Sequence, residues 1–87
     1  MSEPITPPTA EQDDPGQPPK AWLRPDGSVI ACTEKILVLN ENFLELKQLA
    51  QDALDDALLM GCSEAQVRAV YRALFDGLKG SFPERQD

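Results

Sequence analysis

From Thr33 onward the apolar positions Ile36, Leu39, Phe43, Leu46, Ala50, Ala53, Ala57 and Met60 step alternately by three and four. This spacing returns to one face of an α-helix and predicts a single helix over 34–60. Thr33 is its expected cap, and the Glu34 carboxylate suits the positive end of the helix dipole. Gly61 stands where a C′ glycine closes a helix. A rival reading makes 35–39 a strand and starts a shorter helix at Asn40 or Asn42, with Asn42 and Glu45 as a capping-box pair. The apolar seam keeps phase across Asn40 to Asn42, which favours the continuous helix. A second helix is predicted over 64–79. Ser63 is its cap with Gln66 three residues on. Val67, Val70, Tyr71, Leu74, Phe75 and Leu78 share one of its faces. Gly80 is the expected stop, and Gly77 weakens the last turn by about 1 kcal/mol relative to alanine.

Upstream, Arg24-Pro25-Asp26-Gly27 is a turn signal with a mechanism. Pro25 presets φ for the second position of a type I turn, Asp26 tolerates the third, and Gly27 supplies a left-handed residue after it. Short apolar runs on both sides predict a small β-hairpin over 21–31, with 21–24 paired to 28–31. Residues 1–19 hold six of the eight prolines and four acids, with no Lys or Arg. Such a segment buries too little apolar surface to offset its ordering entropy and reads as a disordered, acidic, proline-rich tail. The expected fold class is mainly α. A small β-hairpin precedes an antiparallel two-helix hairpin in a single domain over 20–87, behind the disordered tail.

The link Gly61-Cys62-Ser63 is short enough to make the helices neighbours. Counted away from it, Ala57 meets Val67, Ala53 meets Tyr71 and Ala50 meets Leu74, so small residues face large ones. The first helix runs past the second, leaving Ile36, Leu37, Leu39, Phe43 and Leu44 beyond its reach. It is apolar over most of its circumference, with Glu41, Glu45, Gln48, Asp52 and Asp55 as its wet face. A helix apolar over so wide an arc is buried on more than one side.

Composition narrows the function. The net charge of −7 opposes nucleic acid and anionic membranes as partners. No apolar run nears the roughly 18 residues of a membrane span, and the first nineteen residues have no signal-peptide pattern, so a cytoplasmic location is expected. Cys32 and Cys62 are expected to be free and to behave as small buried hydrophobes. Ends of a continuous helix about 40 Å long are too far apart for a bond within the chain. The chain has no histidine, which removes the usual base and the commonest metal ligand. Asp52, Asp55 and Asp56 read as a solvated helix face, since a hard cation wants six or more converging oxygens. No nucleophile stands beside a base and no glycine-rich phosphate loop occurs. The expectation is a protein that is not an enzyme and takes neither cofactor nor metal.

Ala57, Gly61 and Val67 are spaced as in the helix-turn-helix signature, with Met60, Cys62 and Val70 at positions that are usually apolar there. This stretch, 53–72, resembles that motif. The resemblance implies DNA contact through Ser63, Gln66, Arg68 and Arg72 on a recognition helix. Asp52, Asp55, Asp56 and Glu64 oppose it, because the phosphate term dominates DNA affinity. The strings Trp22-Leu23-Arg24-Pro25-Asp26-Gly27, Glu34-Lys35-Ile36, Val38-Leu39-Asn40-Glu41-Asn42 and Asp56-Ala57-Leu58-Leu59-Met60-Gly61-Cys62 resemble a group of short uncharacterised proteobacterial proteins over about residues 21–80. That resemblance implies no activity.

The favoured expectation is a non-enzymatic protein–protein interaction module that self-associates, as a homodimer, through the apolar face of the long helix. Its expected interface is Trp22, Ile36, Leu37, Leu39, Phe43 and Leu44. The alternative is a DNA-binding regulator using 53–72.

Overall fold

A computed structural model describes residues 14–85. Two helices account for its regular structure: α1, Thr33–Leu59, and α2, Glu64–Asp76. The expected first helix is therefore present and continuous through Asn40 and Asn42, without a strand at 35–39. Nothing in the amides of Asn40 and Asn42 outweighs the unbroken three-and-four seam on either side of them.

Each helix end is set by local hydrogen bonds. Cys32, not Thr33, is the residue before α1, and its carbonyl accepts the Ile36 N–H at 3.0 Å. At the other end the Cys62 N–H reaches Ala57 O at 2.9 Å and the Gly61 N–H reaches Leu58 O at 3.0 Å. This 6→1 and 5→2 pair needs a left-handed C′ residue, and Gly61 supplies it with φ 90°. Ser63 then takes the extended conformation, and its Oγ accepts the Gln66 N–H at 3.1 Å, opening α2.

α2 is shorter than expected. It stops at Asp76 with Gly77 as its C-cap, so 77–79 are outside the helix and Gly80 is not the stop. The Gly77 N–H still bonds Ala73 O at 3.0 Å, and Leu78 closes only a three-residue turn onto Phe75 O at 3.1 Å. A glycine at this position pays maximal backbone entropy to stay helical, and the exposed Leu78 gains no burial to offset it.

The β-hairpin expected over 21–31 is corrected. Its turn forms: the Gly27 N–H bonds Arg24 O at 2.9 Å, Gly27 has φ 90°, and Asp26 Oδ1 accepts both the N–H and the hydroxyl of Ser28. The strands do not. Leu23 and Val29 make one isolated antiparallel bridge, flanked by Arg24 N–H to Ser28 O and Ile30 N–H to Trp22 O, each at 2.8 Å. Two short strands with no third beside them are marginal in water, so the pairing does not extend beyond this bridge. The Asp26 carboxyl is held below its ordinary value, chiefly by the Ser28 hydroxyl.

Of the tail expected over 1–19, residues 1–13 lie outside those described. Residues 14–17 form a turn in which the Gln17 N–H bonds Asp14 O at 3.0 Å and Asp14 Oδ1 accepts the Gly16 N–H at 2.8 Å.

The chain divides into two compact units within α1, one ending at Leu44 and the other running from Glu45 to Arg85. In the first, Trp22 and Ile30 are half-buried, and the Trp22 indole Nε1–H donates to Asn40 Oδ1 at 2.8 Å. Ile36, Leu39, Asn40 and Phe43, on one side of α1, are half-buried with them. The second unit is the helical hairpin. Val67, 8% exposed, is the only buried residue among those described, and Ala53, Leu54 and Ala57 are half-buried.

Two glycine substitutions should move stability in opposite directions. Gly61→Val forces a branched residue to φ 90° and should cost about 1–2 kcal/mol. At Gly77 φ is already right-handed and an added Cβ would sit 3.4 Å from Ala73 O, an ordinary contact. Gly77→Ala should therefore gain up to about 1 kcal/mol. Thermal unfolding followed by circular dichroism reads both; equal signs would contradict this account of the helix ends.

Candidate interaction surface

The hairpin unit carries an open apolar groove of about 480 Å³. Leu46, Leu49, Ala50 and Ala53 of α1 form one side. Tyr71, Leu74 and Phe75 of α2, with Leu78 just beyond it, form the other. The alanines leave a low floor; the leucines and Phe75 stand as walls. Leu49 is 67% exposed and Phe75 61%. Isolated apolar side chains on a surface are ordinary, but a contiguous set framing one concavity is not.

The groove arises from the sequence in a simple way. Two antiparallel helices share one seam, and α2 is only 13 residues long against 27 for α1. Val67 is buried in that seam, and Ala57 is half-buried. Residues turned 60° or more from it, such as Leu49 and Phe75, have no third element to lie against.

The expected interface residues divide. Trp22, Ile36, Leu39 and Phe43 are half-buried within the chain, whereas Leu37 and Leu44 are exposed at 57% and 47%. The expected interface lies on the overhang of α1, whereas the groove is framed by Leu46, Leu49, Leu74 and Phe75, outside that set. Their signal in the sequence is the apolar width of α2 toward Phe75 and Leu78, which a neighbouring helix alone does not cover.

The residues expected at a DNA contact lie as follows. Ser63 is consumed as the α2 cap. Gln66 and Arg72 are exposed. The Arg68 Nε donates to Glu64 Oε2 at 2.9 Å, an exposed i,i+4 ion pair. Asp52 and Asp55 accept from Gln48 and Gln51 one turn back, at 2.9 and 3.2 Å, along a solvated face.

Both cysteines are free, but neither is buried. The expectation of buried small hydrophobes is corrected: Cys32 precedes α1 and Cys62 follows its C′ glycine, so both sit where the chain turns rather than in the seam. Cys32 borders a second hollow of about 490 Å³ with Ile30, Glu34, Lys35, Val38 and Leu39. Its thiol is pulled below the usual value, first by the Lys35 backbone N–H, then by that of Glu34, with a smaller contribution from the Lys35 charge. Among the described residues no group of three or more His, Cys, Asp or Glu is placed to hold a metal. Among the same residues no helix is long and apolar enough to cross a membrane.

The lowered Cys32 pKa has a measurable sign. Thiolate forms at lower pH than in an unstructured peptide, so in a Cys62→Ser variant the alkylation rate should rise through its midpoint below the usual pH near 8.5. An unchanged midpoint would mean that the amides at the start of α1 do not act on this sulfur. Comparison with protein-family models, with curated proteins and with solved structures gives no match, so the groove and its surroundings carry the functional reading.

Proposed function

We propose that this protein is a non-enzymatic protein–protein interaction module whose apolar helical surface is completed by another polypeptide. The observation that carries the reading is the imbalance between burial and apolar content. Val67 alone is buried among the described residues, while large aliphatic and aromatic side chains along both helices stay open to water. At about 25 cal/mol per Å² of apolar surface, leaving these side chains in water forgoes several kcal/mol that docking would recover. A small core of this kind commonly gains its stability by association.

The groove is lined almost wholly by carbon, and no nucleophile and base flank it, which supports docking over catalysis. Two exposed free thiols suit a reducing compartment, and we place the module in the cytoplasm on that ground. The helix-turn-helix alternative has weaker support. Arg68 is already paired with Glu64, and Asp52, Asp55 and Asp56 add negative charge where phosphates would approach.

The test joins sedimentation with an apolar-surface dye. The folded full chain should either associate or, as a monomer, bind the dye strongly. In the dye-binding case Phe75→Ser and Leu49→Ser should each lower the signal. A folded monomer that leaves the dye dark would overturn the interaction reading.

A further inference from the structure

We infer that the occupant of the groove is a second copy of this chain, docked about a two-fold axis parallel to the helices to form an all-antiparallel four-helix bundle. This rests on the interaction reading above and adds the partner and its register.

The first support is relief. A stable interface takes about 800 Å² from each partner, so the flanks of the groove must contribute as well. Its six large residues are each about two-fifths to two-thirds exposed, and a second copy sets the same six against them, which makes the groove self-complementary. Its low Ala50 and Ala53 floor offers a hole for the Leu49 or Phe75 knob of the other copy.

The second support is charge, and it selects the arrangement. Helical spacing at 100° per residue places Asp52 and Asp56 just outside Leu49, on the rim of the groove away from α2. It places Arg68 and Arg72 just outside Phe75, on the opposite rim. One edge is therefore acidic, and the other carries the two arginines with Glu64 beside Arg68; the two Asp and two Arg side chains are all exposed. A two-fold axis along the helices lays α1 of one copy over α2 of the other. Every residue then keeps its height. Levels in the hairpin are counted equally from Cys62, so Asp52 comes level with Arg72 of the second copy and Asp56 with its Arg68. Each helix gains an antiparallel neighbour on both sides, so the dipoles also alternate. A two-fold axis across the helices would instead lay acid on acid, which interfaces avoid. Two-fold homodimers are moreover the commonest assembly.

Sedimentation equilibrium of the full chain tests this, with circular dichroism confirming helix content in every variant. The wild type should show twice the monomer mass at micromolar concentration. Asp52→Arg with Asp56→Arg should weaken the dimer by about tenfold or more, as should Arg68→Glu with Arg72→Glu. The fourfold variant carrying both swaps should recover most of the loss, because the pairs are restored with reversed sign. Phe75→Asp should leave monomer. A folded wild-type monomer that binds the apolar dye would overturn self-docking while leaving the interaction reading intact. A dimer indifferent to both charge reversals, or a fourfold variant no better than either double, would overturn the proposed arrangement.

Discussion

Two helices have one seam, and everything else in this molecule follows from how little a single seam can cover. Among the described residues the seam buries Val67 and half-buries Ala53, Leu54 and Ala57, and it leaves no second layer above Leu49 or Phe75. Domains gain stability by enclosing a core between layers, and a chain this short encloses only a small fraction of its apolar surface. Part of the surplus frames one concave face, because the apolar arc of each helix is wider than the contact between them, and the rest, such as Leu37, Leu59 and Met60, stays exposed elsewhere.

The turn at Gly61-Cys62-Ser63 gives that face its register. The left-handed glycine terminates α1, the Ser63 hydroxyl opens α2, and no residue is left over for slack. The levels of the two helices are therefore tied together by hydrogen bonds within six residues. Asp52 and Asp56 on α1 and Arg72 and Arg68 on α2 thereby stand at equal heights, ten and six residues from Cys62. Local capping chemistry thus sets the relative height of charges on two helices.

The N-terminal unit solves the same problem differently. There the apolar side of α1 at Ile36, Leu39 and Phe43 is half-covered by the preceding segment, anchored by the Trp22 indole on Asn40. The side-chain amide that looks like a helix breaker in the linear string becomes the acceptor for the chain's one tryptophan. This cover is partial: Leu37, Val38 and Leu44 stay exposed on the same stretch of α1.

Features governed by neighbours within a few positions could be read from the residues alone: the Pro25-Asp26-Gly27 turn, the glycine at 61, the Ser63 cap and the unbroken run of α1. Each depends on backbone geometry and hydrogen bonds spanning six residues or fewer, so the string contains all of the participants. The single bridge in place of two strands, the early end of α2 and the exposure of both cysteines depend instead on what lies nearby in space. Ladder length, helix persistence past Gly77 and thiol burial all require a distant surface to pack against. Folding alone reveals that at those places no such surface is present, and that the Ile36, Leu39 and Phe43 side of α1 already has one.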